Sequence, residues 1–183
     1  MKVLVLSASP NTEGLTAACV QAAMDGIDLS DAEVAYCSLN TLSLSACRVC
    51  NNGWGDCREK GTCCIEDAFE EVHAEIADAD CFVLITPVYW SDMAEPMKIF
   101  IDRLRRCEAI RGKNSSVFGK KCIIVAAAGG TGNGQLSCLT QLERACQHVG
   151  AYVFDAIGIS RRTRTHKLAA IKDGVTAMCQ YQL

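Results

Sequence analysis

The sequence predicts an α/β fold: a doubly wound, five-stranded parallel sheet with helices on both faces. Two observations predict it. Short apolar segments alternate with amphipathic segments along the chain, and the apolar segments are nearly continuous hydrophobic runs. Continuous runs are typical of parallel strands, because helices on both faces bury every side chain. The 183 residues fit one domain, and half of them are hydrophobic, which is enough for such a core.

The five strand predictions rest on short apolar runs bounded by turn residues. Residues 2–7 read KVLVLS, a run rich in β-branched and aliphatic side chains. Residues 81–87 read CFVLITP, and we expect the strand to stop at Pro87, because proline cannot donate a ladder hydrogen bond. The predicted strands are, in chain order, residues 2–7, 32–39, 81–87, 122–130 and 151–159.

Five helices are predicted from alanine-rich composition or from apolar residues that recur every three or four positions. The first helix is predicted to end at Gly26, since glycine commonly terminates helices. In the third, Met97, Phe100, Ile101 and Leu104 share one face, which we expect to point inward. The predicted helices are residues 14–26, 65–80, 94–107, 135–149 and the tail from about His166.

Strand–helix repetition with five strands indicates the flavodoxin-like arrangement, with strand order 2-1-3-4-5. In such sheets, ligands bind beyond the carboxyl ends of the strands, at the point where the strand order reverses. We expect a single domain over residues 1–183. Its alternation is interrupted by a cysteine-rich loop insertion at about residues 40–64.

Composition excludes several classes of protein. The net charge of −3 argues against nucleic-acid binding, which requires a basic domain or face. No apolar run is long enough to span a bilayer, and no signal-peptide pattern is present, so we expect a cytoplasmic protein without membrane contact. Eight of the 13 cysteines are scattered through predicted helices and strands, where reduced cysteine behaves as a small apolar residue.

Three loops are predicted to share one edge of the sheet, residues 7–16, 86–96 and 127–135. The first places hydroxyls and small residues where a strand leads into a helix, which suits a small monophosphate. It lacks both the nucleotide-hydrolase pattern and the dinucleotide pattern of glycines. The alternative is a helix cap formed by Asn11 or Thr12.

The second and third loops suit a planar ligand. Tyr89 and Trp90 are adjacent in a chain that is only 6% aromatic, so either they cover a ligand or they plug a gap between helices. Four glycines within residues 129–134 allow close backbone approach to the polar edge of a ring, or form a flexible turn. Together the three loops favour one phosphorylated planar ligand.

With these loops, the sequence resembles the flavodoxin-like NAD(P)H-dependent FMN reductase family over about its whole length. KVLVLSASPNTEGLT resembles the family's phosphate loop, although Leu15 and Thr16 end it and a frequent basic residue is missing at Asn11. TPVYW resembles the loop along the flavin ring, and GGTGNGQ the loop at its pyrimidine side. The helix after the second loop matches through Lys98, Phe100, Asp102 and Arg103.

The resemblance implies FMN bound without covalent attachment. It also implies an oxidoreductase that passes electrons from NAD(P)H through FMN to a quinone, a flavin or another acceptor, in a homodimer or homotetramer. The implied FMN-binding residues are Ser7, Ser9, Pro10, Asn11, Gly14, Leu15, Thr16, Pro87, Val88, Tyr89, Trp90, Gly129, Gly130, Thr131, Gly132 and Gly134.

No catalytic acid or base is nominated, because in such enzymes the cofactor carries the chemistry. The three histidines lie on predicted helices, where we expect surface or packing roles. Three alternatives remain: a flavodoxin-type electron carrier, an iron–sulfur flavoprotein fed by ferredoxin, and a non-enzymatic binding module on the same fold.

The segment of residues 46–69 resembles an element of the family's iron–sulfur branch, in which four cysteines hold a 4Fe–4S cluster. The matching residues are Cys47, Cys50, Cys57 and Cys63, with a longer gap between the second and third than in that branch. Four thiolates could hold iron–sulfur or zinc, act as a redox dithiol, or lie packed beneath a loop. We expect no metal in preference to a cluster.

Two groups of arginines also need assignment. Arg161, Arg162 and Arg164 could meet a cofactor phosphate or an acidic partner, but a solvated connection is the favoured interpretation. For the second group we expect a place at the surface or at an interface; it comprises Arg103, Arg105, Arg106 and Arg111.

Overall fold

A computed structural model describes residues 1–181 and shows a sheet with helices on both faces. Within these residues no helix is long and apolar enough to cross a lipid bilayer. The strands are β1 (Lys2–Ser7), β2 (Glu33–Ser38), β3 (Cys81–Tyr89), β4 (Asp92–Met93), β5 (Lys121–Ala128) and β6 (Tyr152–Ser160). The helices are α1 (Leu15–Asp28), α2 (Asp56–Glu59), α3 (Phe69–Asp78), α4 (Glu95–Glu108), α5 (Gln135–His148) and α6 (Arg164–Gln180).

The main sheet is parallel, with strand order β2-β1-β3-β5-β6. This confirms the predicted flavodoxin-like order, since the five long strands are the five predicted ones. The additional strand, β4, has two residues and pairs antiparallel with the end of β3. Ser7 of β1 lies opposite Ile85 of β3, and Pro87 of β3 lies opposite Ala127 of β5. The ends of these three strands therefore meet at one edge.

The core lies on both faces of the sheet, as the continuous apolar strands require. Along β1, Val3 and Val5 pack in the cluster that includes α1 and α6, whereas Leu4 and Leu6 pack in the cluster that includes α3, α4 and α5. This alternation follows from the two-residue period of a strand. The predicted inward face of α4 is buried in the second of these clusters.

The prediction that Gly26 ends the first helix is wrong. Helix α1 continues to Asp28, and Gly26 is buried where α1 crosses α6. A Cβ atom at Gly26 would lie 2.5 Å from the Lys172 carbonyl oxygen, so only glycine permits this approach of the two helices. Thr176 strengthens the contact by donating a hydrogen bond to the Gly26 carbonyl, at 3.0 Å.

The prediction that Pro87 stops the third strand is also wrong, because β3 runs on to Tyr89. The Ile85 carbonyl accepts the Ala8 N–H at 3.0 Å, so Ile85 directs its backbone toward β1. Residues two apart on a strand direct their backbone groups to the same side. The missing N–H of Pro87 therefore falls beyond the end of β1, where the ladder does not need it.

Helix α3 begins at Phe69, whereas the sequence predicts a start at residue 65. The Asp67 carboxylate explains the later start: its Oδ1 accepts the Phe69 N–H at 3.0 Å and its Oδ2 accepts the Ser45 N–H at 2.7 Å. The residues just before α3 are thus tied to the preceding loop and do not form a helical turn.

A buried hydrogen-bond network joins α3 to the end of α4. His73 Nε2 lies 2.6 Å from Glu108 Oε1, and Ser116 donates to the same carboxylate through its N–H (2.7 Å) and its hydroxyl (2.9 Å). Burial alone would raise the pKa of Glu108, but these hydrogen bonds outweigh it and lower the pKa to about 2. His73 thus packs in the core, away from the predicted ligand edge.

We expect Glu108→Gln to make the free energy of unfolding less dependent on pH in the acidic range. A carboxylate with a depressed pKa in the folded state contributes stability above its unfolded pKa of 4.5, and this stability is lost as the pH falls toward about 2. Urea unfolding of the wild type should therefore show a steeper loss between about pH 5 and 2 than the variant. Glu71→Gln, on the exposed face of α3, is the matched control. Equal slopes for all three proteins would contradict the assignment.

Candidate functional site

A large open pocket lies at the edge where β1, β3 and β5 end. Its volume is about 820 Å³, within the usual range for small-molecule sites. Segments after β1, β3, β5 and β6 line it together. We call it the rim pocket, and its lining residues are Ser9, Asn11, Glu13, Gly14, Leu15, Thr16, Pro87, Val88, Tyr89, Trp90, Ser91, Ala127, Ala128, Gly129, Gly130, Thr131, Asn133, Arg161 and Arg164.

The start of α1 opens onto the rim pocket. Its N-cap is Gly14, with φ of 100°, and no side chain caps the helix. The alternative in which Asn11 or Thr12 caps α1 is therefore wrong. The hydroxyl of Ser9 instead accepts the Asn11 N–H at 3.2 Å and shapes the turn before the helix. The first N–H groups of α1 have no intrahelical acceptor, so the positive helix end can receive an anion from the pocket.

Two arginines add positive charge to the same pocket. Arg161 follows β6, and Arg164 is the first residue of α6. Both line the rim pocket, whereas Arg162 does not. All three arginines are exposed, as a solvated connection predicts, but two of them are placed where they could also meet a ligand in the pocket. The carboxyl end of β6 reaches the same edge as β5, and this placement was available from the predicted strand order.

A strained hairpin carries the two aromatic residues. Tyr89 pairs with Asp92, and the two residues between them, Trp90 and Ser91, have φ of 50° and 66°. Positive φ at both central positions is the mark of a type I′ turn, which normally uses asparagine and glycine. The Trp90 side chain is 101% exposed and Tyr89 is 48% exposed, so neither plugs a gap between helices.

The glycine-rich loop divides into two parts. Gly129, Gly130 and Thr131 line the rim pocket, and a Cβ added at either glycine would meet no atom within 4 Å. Gly132 and Gly134 turn away and line a neighbouring cavity along α5. At Gly134, where φ is 83°, a Cβ would lie 2.7 Å from the Cα of Ser91. The absence of a side chain at Gly134 therefore allows the third loop to pack closely against the hairpin.

Of the sixteen residues predicted for the ligand, twelve line the rim pocket and four do not. Ser7 is buried at the end of β1 and, with Pro10, lines a separate cavity beside the loop; Gly132 and Gly134 lie behind the third loop. Seven lining residues lie outside the prediction. They are Glu13, Ser91, Ala127, Ala128, Asn133, Arg161 and Arg164.

A buried arginine connects helix α4 to the loop insertion at about residues 40–64, which we call the cysteine-rich segment. Arg103 of α4 is 1% exposed, which corrects the expectation of a surface or interface position. Its Nη1 donates to both carboxylate oxygens of Asp67, at 2.8 and 2.7 Å, and to the Ser45 carbonyl. The guanidinium lies 4.2 Å from the centre of the Phe69 ring. Burial opposes ionisation of Asp67, but Arg103 and two backbone N–H groups hold its pKa at about 2.

The cysteine-rich segment surrounds a small cavity. Its volume is about 20 Å³, roughly that of one water molecule. The four cysteines predicted for a cluster line it, and so do Cys64, Cys107, Arg103 and Arg106. Within residues 1–181, no three His, Cys, Asp or Glu side chains are arranged to hold a metal ion. Cys47, Cys50, Cys57 and Cys63 thus share one cavity but do not form a site for a single metal ion.

Comparisons with known proteins agree with this geometry. The family model described as NADPH-dependent FMN reductase matches residues 1–163. Two proteins of Methanocaldococcus jannaschii, both named iron-sulfur flavoprotein, are 34% identical over 57% of this chain and 33% identical over 73% of it. The matches cover 52% and 64% of those relatives, so the chain spans about half to two thirds of their length.

A solved structure has the same architecture over the whole chain. It is described as an NAD(P)H:quinone oxidoreductase from Methanothermobacter marburgensis, with a TM-score of 0.75 and 19% identity. The superposition covers 100% of this chain and 98% of the other. At this level of identity the similarity establishes the fold alone.

We expect Gly134→Ala to destabilise the protein and to disturb the hairpin. The new methyl group would meet the Ser91 backbone, and alanine resists a φ of 83°, so the free energy of unfolding should fall by about 2–4 kcal/mol. Gly129→Ala is the matched control, because its methyl group would enter open space. Urea unfolding measures both variants. Equal stabilities would show that Gly134 does not constrain the two loops.

Proposed function

Because the chain belongs to the NADPH-dependent FMN reductase family, we propose that it is an FMN-dependent oxidoreductase. In this proposal it takes electrons from NAD(P)H and passes them to a quinone, a free flavin or another small acceptor. One observation carries the proposal: a single pocket combines an uncapped helix start, two arginines and an exposed aromatic hairpin. These are the features that a phosphorylated planar cofactor requires at its two ends.

The phosphate end of FMN is assigned to the start of α1. The first N–H groups of the helix point along its axis, and the helix dipole favours a dianion there. Thr16 lies in the first turn, and Ser9 holds the preceding turn in place through Asn11. Arg164 adds a permanent positive charge to this pocket, which compensates for the missing basic residue at Asn11.

The ring end is assigned to the hairpin and the third loop. Tyr89 and Trp90 offer flat apolar surface, and the open backbone of Gly129 and Gly130 offers N–H and C=O groups to the polar edge of a ring. When bound, FMN supplies the chemistry of accepting a hydride and releasing electrons to a second substrate. The chain itself binds the cofactor and orients it, while the openness of the pocket admits the electron donor and the acceptor.

The strained hairpin supports a functional role for this edge. Non-glycine residues with positive φ cost free energy and persist where surrounding structure holds them. Here the β3–β4 pairing and the contact with Gly134 hold Trp90 and Ser91 in that conformation. In this turn the Trp90 indole is fully exposed and lines the rim pocket.

We do not assign an iron–sulfur cluster to this chain. The relatives named for one are matched over only part of their length, and the gap between Cys50 and Cys57 is longer than in the cluster-bearing branch that the segment resembles.

We further propose a homo-oligomer in the cytoplasm. The exposed side chains of Trp90 at the rim pocket and Leu136 at the neighbouring cavity support an interface, and the 13 free cysteines within residues 1–181 support a reducing compartment.

We expect substitutions at the phosphate contacts to weaken the binding of FMN but not of riboflavin, which has the same ring but no phosphate. Arg164→Ala should weaken FMN binding about 10-fold to 100-fold, and Ser9→Ala and Thr16→Ala about 5-fold to 10-fold. Riboflavin affinity should stay near the wild-type value. Calorimetric titration measures both ligands, and Arg162→Ala, whose side chain is outside the pocket, is the matched control. An equal loss for the two flavins would refute the phosphate assignment.

We expect reduced nicotinamide to bleach the bound flavin. The protein loaded with FMN under anaerobic conditions should lose its yellow absorbance on addition of NADH or NADPH, and should regain it on addition of a quinone. Free FMN at the same concentration is the control. Persistence of the oxidised spectrum with both nucleotides would favour an electron carrier with a different donor.

A further inference from the structure

Two cysteines of the cysteine-rich segment face each other at its two ends. Cys50 and Cys64 are 14 positions apart, yet their sulfur atoms are only 3.4 Å from each other. Cys64 is exposed and Cys50 is partly exposed. A disulfide requires about 2.05 Å between the sulfur atoms, so a further approach of roughly 1.4 Å would join them.

The positions of both thiols are set by contacts with the body of the protein. Cys50 precedes the short turn Asn51–Gly53, whose carbonyl at Gly53 accepts a hydrogen bond from Arg106 of α4. On the other side of the gap, the N–H of Cys63 donates to Glu70 of α3, at 2.7 Å. The two sulfur atoms therefore face each other across a segment held at both ends by helices.

The local backbone also brings the chain close to Cys50. A Cβ at Gly55 would lie 3.0 Å from the Cβ of Cys50, so glycine at this position lets the chain fold back over the thiol. Val49, Asn51 and Asn52 all have positive φ, between 47° and 58°, and these turns bring the chain around the Cys50 thiol. Asparagine adopts this conformation readily, whereas the β-branched Val49 is strained in it.

We propose that Cys50 and Cys64 are a redox-active dithiol that exchanges with low-molecular-weight disulfides. The thiolate of one cysteine attacks a sulfur of the small disulfide and releases one equivalent of its thiol, leaving a mixed disulfide on the protein. The second thiolate then attacks the protein sulfur of that mixed disulfide and releases the other equivalent. The protein loses two electrons and two protons, and the small disulfide is reduced to two thiols.

The remaining cysteines do not offer an equivalent pair. Seven are buried in the core, among them Cys122 and Cys146, where no small disulfide can reach them. Cys37, Cys47, Cys57 and Cys63 are partly exposed, the last three around the small cavity, but no sulfur–sulfur contact joins any of them within residues 1–181. The proposal is separate from the flavin site, since it involves no residue of the rim pocket.

The test uses the full chain, reduced under anaerobic conditions and then mixed with glutathione disulfide. We expect the wild type to lose two free thiols and to retain no bound glutathione. Cys50→Ser should lose one thiol and retain one glutathione on Cys64, because the resolving thiol is gone. Cys57→Ser is the matched control and should behave as the wild type. Thiol titration and intact-protein mass spectrometry give both numbers.

Peptide mapping assigns the bond. Trypsin cleaves after Arg48, Arg58, Lys60 and Lys98, which leaves Cys50 with Cys57 in one peptide and Cys63, Cys64 and Cys81 in another. Loss of the cross-link in Cys64→Ser, and its survival in Cys57→Ser, would establish the proposed pair. Retention of the cross-link in Cys64→Ser would overturn the proposal. A second result would also overturn the proposal. If each anaerobically purified chain contained about four iron and four sulfide ions, and Cys50→Ser abolished this content, Cys50 would be a cluster ligand.

Discussion

The parallel register of β1, β3 and β5 is the constraint on which the rest of the molecule depends. Each strand is held on both sides by backbone hydrogen bonds, and the register aligns their carboxyl ends to within a few residues. Three loops with unrelated sequences are thereby brought to one edge. No local contact within the loops brings them together. The pocket nevertheless combines the hydroxyls of the first loop, the aromatic hairpin of the second and the open glycines of the third. Their common pocket is a property of the sheet.

A second constraint governs the cysteine-rich segment. This long insertion has little regular structure, and a buried guanidinium attaches it to α4. Arg103 binds Asp67 through two hydrogen bonds and stacks on Phe69, which offsets the cost of removing both charges from water. Its Nε is the buried side-chain nitrogen left without a partner in residues 1–181. The attachment fixes where the segment begins and ends, and therefore which cysteines come together.

The sequence was sufficient for the architecture and for most of the rim. Continuous apolar runs identified the five long strands, and the rule for carboxyl strand ends brought the correct three loops together. The family prediction is confirmed by the family model over residues 1–163.

Other features could not be predicted from local patterns. Strand β4 is too short for this, because two residues show no periodicity. Gly26 and Pro87 were misread because local propensity yields to tertiary contacts, which are invisible in a local pattern. Arg103 looked exposed because charged residues usually are, and its partner lies 36 positions away.

The two tryptophans of the chain occupy the two regions of chemical interest. Trp90 stands fully exposed at the rim pocket, and Trp54 lies in the cysteine-rich segment, 5.1 Å from the Arg106 guanidinium. Each indole is therefore an intrinsic optical reporter for one region. The emission of Trp90 responds to whatever stacks at the pocket, and that of Trp54 to movement of the insertion against α4. Replacing either one with phenylalanine leaves a protein whose ultraviolet emission follows a single region without any added label.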